Sequence, residues 1–141
     1  MITIPYADLK QALTNTATEL MWYLDSKTGK MILHSEDIDL GDDGAFLDQL
    51  DLFPDRYLKI DRLPAKETHQ FMIYFLNEIN DNKAKVALAQ ALASKRPGQL
   101  FRQTVTNYPK LKREWNAYEI RRNSEYIISW LQTQGIEATV K

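Results

Sequence analysis

The 141-residue sequence contains no cysteine. Without thiols the chain has no disulfide, no thiolate nucleophile and no Cys-based zinc or iron–sulfur site. The absence of cysteine is typical of a reducing compartment, so we expect the cytoplasm. No apolar run approaches the roughly 18 residues of a membrane span. The first twenty residues lack the basic start and apolar core of a secretion signal, so we expect neither secretion nor a membrane anchor.

Glycine and proline are also scarce, with five residues of each. Hydrophobic residues make up 44% of the chain and charged residues 26%, which is the composition of an ordinary soluble globular protein. A chain of this length buries one hydrophobic core comfortably and is short for two. We therefore predict one domain over residues 1–141.

Motifs that identify the commonest catalytic sites are missing as well. The sequence has no His-Glu-x-x-His, no Gly-x-Ser-x-Gly, no Gly-x-Gly-x-x-Gly and no phosphate-binding glycine loop. His34 and His69 are the two histidines, and neither stands in a metal-binding or catalytic pattern. We expect no catalytic residue, no cofactor, no metal and no enzymatic activity.

An acidic segment, residues 36–43, invites comparison with a calcium-binding loop. A loop that began at Asp39 would place Gly44 at the required sixth position. The same register puts Gly41 at the third position, where it offers no ligand, and Leu50 at the twelfth, where a glutamate belongs. We therefore predict a solvated acidic loop. Its carboxylates and the two histidines are the candidates if the protein is an enzyme of unrecognised type.

Charge is distributed unevenly, although the net charge is only −1. Residues 1–61 carry five Lys and Arg against twelve Asp and Glu, whereas residues 62–141 carry thirteen against seven. The two halves therefore have net charges of −7 and +6. Such polarity is found in proteins that bind polyanions, and also in folds whose halves attract each other.

Hydrophobic periodicity predicts an α+β fold. Short apolar runs at 21–24 and 31–34 flank a turn at 25–29, which indicates a β-hairpin. Residues 57–61 alternate like a third strand. Helices are predicted at 6–19, from 65 to about 80–82, from there to about 94, at 99–107 and at 109–134, with a short one near 45–50. We expect a small antiparallel sheet packed against a mainly helical C-terminal half, with Gly135 ending the last helix.

Basic and aromatic residues alternate in the segment 95–122. Cations neutralise phosphates and exposed aromatics stack on bases, so one interpretation is a nucleic-acid surface. The other is that Phe101, Tyr108, Trp115 and Tyr118 belong to the core, with the cations in water. The sequence pI of about 6.1 favours the second. In either case the predicted contact residues are Lys95, Arg96, Arg102, Lys110, Lys112, Arg113, Arg121 and Arg122.

The last predicted helix is apolar over an arc wider than a surface stripe. We hypothesise that Trp115, Tyr118, Ile128 and Trp130 leave an apolar patch that a partner covers. The partner would be a second copy of the chain or another protein.

Several short motifs occur in an order and spacing found in a known protein family. They are Tyr-Leu-Asp-Ser-Lys-Thr-Gly at 23–29, the segment 57–64 followed by Met72 and Phe75, Leu88 with Ala91 and Leu92, Phe101 with Arg102, Trp115 with Tyr118, Trp130 with Leu131, and Gly135 with Ile136. With this set the chain resembles the bacterial uncharacterised protein family 0158. Residues 95–99 depart from the Gly-Lys-Gly-like turn of that group. The resemblance implies a small α+β domain and no particular reaction.

The function expected from the sequence is binding. We predict a small cytoplasmic, non-enzymatic protein that binds an unknown protein partner or itself, with the basic segment 95–122 as its contact surface. The alternative is a nucleic-acid-binding regulator that uses the same segment, and the second alternative is an enzyme of unrecognised type. No membrane partner is expected.

Overall fold

A computed structural model describes residues 1–38, 40, 41 and 43–141, except for the side chain of Asp43. Strands and helices alternate in the first half of the chain, and helices dominate the second. In chain order the elements are β1 (Ile2–Ile4), α1 (Tyr6–Leu13), β2 (Met21–Asp25), β3 (Met31–His34), α2 (Asp43–Leu52), a 3₁₀ helix (Pro54–Arg56), β4 (Tyr57–Ile60), α3 (Ala65–Asn77), α4 (Asn82–Leu92), α5 (Pro97–Val105), α6 (Pro109–Thr133) and β5 (Ala138–Val140). The predicted α+β class is confirmed.

The chain forms two compact units. Residues 1–62 and 123–141 form one, which we call the sheet unit, and residues 63–122 form the other, which we call the helical unit. Helix α6 contributes its first fourteen residues to the helical unit and the remainder to the sheet unit. The single domain predicted over residues 1–141 stays a prediction.

The sheet unit contains the predicted hairpin and third strand. β2 is the middle strand and pairs antiparallel with β3 on one side and with β4 on the other. Trp22 and Leu24 are buried on β2, because side chains two residues apart point to the same face of a strand. The three-stranded antiparallel sheet is therefore confirmed.

Side chains of the hairpin turn bond to the backbone of the turn itself. Asp25 Oδ1 accepts a hydrogen bond of 2.9 Å from the Lys27 amide, and Thr28 Oγ1 accepts one of 3.2 Å from the Lys30 amide. Gly29 has a φ of +81°, a conformation that other residues adopt only with strain. These local interactions explain why the turn could be placed from the sequence.

Gly29 has a second constraint, because it lies against strand β1. A Cβ atom at Gly29 would overlap the backbone carbonyl oxygen of Thr3. Gly135 has a similar φ of +77°, but a Cβ atom there would meet no described atom within 4 Å beyond its chain neighbours. We expect Gly29→Ala to lower the free energy of unfolding by about 2–3 kcal/mol, and Gly135→Ala by about 1 kcal/mol. Urea unfolding followed by circular dichroism would measure both, and equal losses would contradict the close approach to β1.

The pairing of the chain ends was not predicted. β1 and β5 form a parallel two-stranded sheet in which Ile2, Thr3 and Ile4 lie opposite Ala138, Thr139 and Val140. Each strand has three residues, too few for a periodic signal, and the pairing depends on residues at opposite ends of the sequence. The side chain of Ile4 and that of Ala138 are buried there.

Helix α1 is shorter than predicted. The periodicity suggested a helix over residues 6–19, but α1 ends at Leu13. The Asn15 side chain explains this difference, since its Oδ1 accepts from the Ala17 amide and its Nδ2 donates to the Leu20 carbonyl, both at 3.0 Å. Asparagine side chains that bond nearby backbone groups compete with continuation of a helix.

The helical unit consists of α3, α4, α5 and the first part of α6. Its core includes Phe75, Phe101 and Trp115, with the Trp115 ring centroid 5.3 Å from that of Phe75 and 4.9 Å from that of Phe101. α3 and α6 begin where the sequence predicted, at Ala65 and Pro109, but α3 ends at Asn77, short of the end predicted near residues 80–82. α5 begins two residues earlier than predicted, because Pro97 occupies its first turn. None of the described helices combines the length and the apolar composition needed to cross a lipid bilayer.

Candidate interaction surfaces

Phe46 holds helix α2 on the three-stranded sheet. The Phe46 ring meets three other rings edge-on, with centroid distances of 5.2 Å to Tyr23, 5.7 Å to His34 and 5.3 Å to Tyr57. Such aromatic pairs contribute about 0.5–1.5 kcal/mol each beyond the area that they bury. Phe46 therefore fixes one side of the helix on the sheet.

The rest of α2 is open to solvent, and none of its described side chains is buried. Leu52 is 67% exposed, Leu47 is 43% exposed, and Phe53, directly after the helix, is 49% exposed. Asp48 and Asp51 are exposed between them. We call Leu47, Asp48, Asp51, Leu52 and Phe53 the α2 surface. Three exposed apolar side chains within seven residues make this segment a candidate interaction surface.

A groove of about 460 Å³ opens beside α2. Its apolar lining includes Ile32, Phe46 and Tyr57, and its polar lining includes Thr28 and Lys30. Volumes of this order accommodate a small ligand or the anchoring side chain of a protein partner. The groove adds a concave feature next to the convex α2 surface.

An ion pair fixes the end of the sheet at this groove. Arg56 donates to both carboxylate oxygens of Asp25, from Nε to Oδ1 at 2.9 Å and from Nη2 to Oδ2 at 2.7 Å. The hydrogen bonds from Arg56 lower the pKa of Asp25 from its ordinary value of 3.8 to about 2, and outweigh the opposing effect of burial. The pair joins the hairpin turn to the start of β4.

The sequence around α2 is strongly acidic. Residues 31–55 contain eight Asp and Glu and no Lys or Arg. Asp39 and Asp42 of the predicted solvated acidic loop lie outside the described residues, as does the side chain of Asp43. Among the side chains that the structure does describe, no group of three or more His, Asp or Glu is arranged to hold a metal ion. An acidic and apolar surface of this kind complements a basic and apolar one.

The basic segment lies in the helical unit, on α5, on α6 and in the turn before α5. Five of its eight predicted contact residues have exposed side chains: Lys95, Arg96, Lys110, Arg113 and Arg121. The other three, Arg102, Lys112 and Arg122, are half-buried. Their role in contacting a polyanion or a protein stays a prediction.

Two of the half-buried cations make contacts within the helical unit. Arg102 Nη2 donates to the buried Glu119 carboxylate at 3.3 Å. Arg122 Nε donates to the Tyr118 hydroxyl at 3.1 Å, and its guanidinium lies 5.7 Å from the Tyr74 ring centroid. These contacts occupy part of the donor capacity that a phosphate would require.

Most of the aromatic residues of the basic segment belong to the core, as the second interpretation expected. Phe101, Trp115 and Tyr118 are buried, and Tyr108 is half-buried. The hypothesis of an apolar patch on the last helix is therefore wrong for Trp115 and Tyr118, because neighbouring helices of the same chain cover them. Ile128 and Trp130, the other two members of that patch, are half-buried.

The histidines lie in different units. His34 is buried on β3 against Phe46, and His69 is half-buried on α3. The carboxylates considered with them belong to the acidic segment, where Glu36 and Asp37 are exposed. A role for these residues in an enzyme of unrecognised type stays a prediction.

Sequence reasoning missed the α2 surface. A short helix near residues 45–50 was predicted, but its outward face was not considered. The signal was present, because apolar residues at positions 46, 47, 50, 52 and 53 cover more of a helix circumference than one sheet contact can bury. A ten-residue helix with apolar residues around much of its circumference predicts either a deep core position or an interaction surface.

A model of the uncharacterised protein family UPF0158 matches residues 1–141, so the resemblance seen in the motifs is confirmed. A UPF0158 protein of Pseudomonas aeruginosa is 31% identical over 119 residues, which cover 84% of this chain and 76% of that protein. A UPF0158 protein of Chlamydia pneumoniae is 26% identical over 125 residues, which cover 88% of this chain and only 39% of that longer protein. No solved structure matches the chain.

Proposed function

The chain belongs to the uncharacterised protein family UPF0158, and we propose that it is a cytoplasmic, non-enzymatic protein-interaction module that binds through the α2 surface. The observation that carries this proposal is a ten-residue helix with no buried side chain among those described. Removing an exposed leucine or phenylalanine from water contributes roughly 1–3 kcal/mol. A partner that covers Leu52 and Phe53 therefore gains binding energy that the isolated chain does not use.

The α2 surface supports protein binding better than the basic segment does. Three of the four aromatics in the basic segment are buried, so they are not available to anchor a partner. Arg102 and Arg122 contact Glu119 and Tyr118 within the chain. The α2 surface, in contrast, combines exposed apolar side chains with an adjacent groove, and anchoring residues in protein interfaces fill such pockets.

The strongly perturbed carboxylate Asp25 has a structural explanation, which supports a non-enzymatic role. Its low pKa arises from the hydrogen bonds of Arg56, and each of its oxygens already accepts at least one hydrogen bond. A carboxylate held ionised in this way stabilises the turn, whereas a general acid or base at neutral pH needs a raised pKa.

Nucleic-acid binding is the second candidate, and the charge of the helical unit favours it. This unit carries eleven Lys and Arg against five Asp and Glu. Lys95, Arg96, Lys110 and Arg113 are exposed cations that a phosphate backbone would contact. Binding of this kind weakens steeply as salt is added, because counterions are released from the nucleic acid.

The α2 surface can be tested with the double substitution L52S/F53S and the matched control Val86→Ser, which changes an equally exposed apolar side chain on α4. Tagged protein would be crosslinked in nuclease-treated lysate of the source organism, and recovered proteins quantified by mass spectrometry. We expect the wild type and the control to recover the same protein partner, and L52S/F53S to recover at least about tenfold less of it, which corresponds to 1.4 kcal/mol.

Two results would contradict the proposal. Equal recovery by all three proteins would exclude the α2 surface as the contact. Recovery of nucleic acid from lysate without nuclease, lost at moderate salt and unaffected by L52S/F53S, would favour the second candidate instead.

A further inference from the structure

The structure suggests what covers the α2 surface. Building on the proposed binding role, we propose that the occupant is a second copy of this chain, which docks with the exposed face of the first part of its α6. We call Lys110, Arg113, Ala117 and Ile120 the α6 stripe. All four residues are exposed, and Ile120 is 45% exposed.

Charge complementarity is the first argument for a second copy. The sheet unit, which carries the α2 surface, has seven Lys and Arg against fourteen Asp and Glu, a net charge of −7. The helical unit, which carries the α6 stripe, has eleven against five, a net charge of +6. Two copies therefore offer each other surfaces of opposite sign, which favours encounter and correct orientation.

The second argument is that both helices expose charged side chains beside apolar ones, with opposite charges on the two helices. At about 100° per residue, Leu47, Asp51, Asp48 and Leu52 lie within an arc of about 140° on α2. The members of the α6 stripe lie within an arc of about 80° on α6. Each face therefore presents two charged and two apolar side chains.

A helix-on-helix contact uses both kinds of residue. The small Ala117 allows the α2 helix of the other copy to approach, so that Leu52 packs near Ala117 and Ile120. Lys110 and Arg113 then face Asp48 and Asp51. Since such rim charges stay near water, salt screens them over about 8–10 Å, and the association weakens as ionic strength rises.

Charge reversal on both surfaces provides the test. The first variant is D48K/D51K, and the second is K110E/R113E. Two copies of the same variant present surfaces of like charge, which repel each other. In a mixture, a copy of one variant meets a copy of the other with surfaces of opposite charge. One position of each pair also suits its helix, because lysine is favourable in the last turn of α2, at position 51, and glutamate in the first turn of α6, at position 110.

Sedimentation equilibrium of the full chain would measure association at several chosen concentrations between 1 and 500 μM. We expect the wild type to exceed its monomer mass of 16.4 kDa at the higher concentrations and to dissociate with added salt. Each variant alone should associate at least about tenfold more weakly, and the equimolar mixture should recover association to within about threefold of the wild type. Circular dichroism would establish that both variants are folded.

Control variants separate the specific contact from net charge. E19K/E137K and K66E/K83E change the net charge equally at other exposed positions, and we expect both to associate like the wild type. A wild type that stays monomeric throughout, or a mixture that does not recover association, would overturn the second copy as occupant. If L52S/F53S still lost a protein partner from lysate in that case, the proposed binding role would stand and the occupant would be a different protein.

Discussion

Replacing Trp115 by alanine is expected to lower the free energy of unfolding by about 3–5 kcal/mol, because it removes the largest side chain from the core of the helical unit. Trp115 is 1% exposed, and its ring centroid lies 5.3 Å from that of Phe75, 4.9 Å from that of Phe101 and 6.0 Å from that of Tyr118. Alanine would leave a cavity bordered by three aromatic rings, and flat rings cannot easily collapse into it. Urea denaturation followed by circular dichroism would measure the loss.

Two controls define what the loss at Trp115 means. Trp115→Phe keeps one ring in the same place, so it should cost clearly less than the alanine substitution. Val86→Ala removes apolar atoms from an exposed position of the same unit and should change stability by less than about 0.5 kcal/mol. A loss below about 1 kcal/mol for Trp115→Ala would contradict its place at the centre of this core. In Trp115→Ala, hydrogen exchange should rise most in residues 63–122, because the core of that unit loosens.

Features of the fold that depend on nearby residues could be predicted from the sequence. The hairpin followed from two apolar runs and a turn whose Asp25, Thr28 and Gly29 act on the turn itself. The end of α6 followed from Gly135, whose φ is +77°, and the Ile136 amide donates to the Leu131 carbonyl at 2.9 Å to close the helix. Both signals act over a few residues, so a single sequence contains them completely.

Features that depend on distant residues could not be predicted in the same way. The pairing of β1 with β5 joins Ile2 to Ala138, and neither three-residue strand has a pattern of its own. The bond between Asp25 and Arg56 crosses 31 positions, and nothing in the sequence indicates which of several arginines reaches that carboxylate. Such contacts are set by the packing of elements, and periodicity identifies the elements alone.

The candidate surfaces also could be predicted only in part, because their residues are visible in the sequence and their contacts are not. The basic residues of 95–122 were visible in the sequence, but the contact of Arg102 with Glu119 and that of Arg122 with Tyr118 depend on how α5 and α6 pack. The apolar residues of α2 were visible too, but composition does not reveal whether Leu52 faces the core or water. Exposure is a property of the fold, so the α2 surface became evident only with the structure.

Asp25→Ala is expected to lower the free energy of unfolding by about 3 kcal/mol, because it breaks a buried ion pair and leaves Arg56 without its partner. The Asp25 side chain is 7% exposed and that of Arg56 is 25% exposed. The alanine variant also loses the acceptor for the Lys27 amide. The Arg56 guanidinium is partly exposed to water, so the expected loss is near the lower end of the range for broken buried ion pairs.

Asp25→Asn separates the charge from the turn. Asparagine keeps an oxygen that can accept from the Lys27 amide but has no negative charge for Arg56, so it resembles the protonated aspartic acid. Its expected loss at pH 7 is about 2 kcal/mol, which is the free energy that corresponds to a pKa lowered from 3.8 to about 2.

The pH dependence gives the sharper test of the ion pair. Because the pKa of Asp25 is lower in the folded state, the unfolded chain binds more protons between pH 4 and pH 2, and acid therefore favours unfolding in that interval. The stabilisation by Asp25 is complete above pH 5 and is lost as the pH falls toward 2. The difference in unfolding free energy between wild type and Asp25→Asn should therefore shrink from about 2 kcal/mol at pH 7 toward zero near pH 2. A difference that stays constant over this range would mean that Arg56 does not hold the Asp25 carboxylate ionised, and that Asp25→Asn loses stability for a reason other than the missing charge.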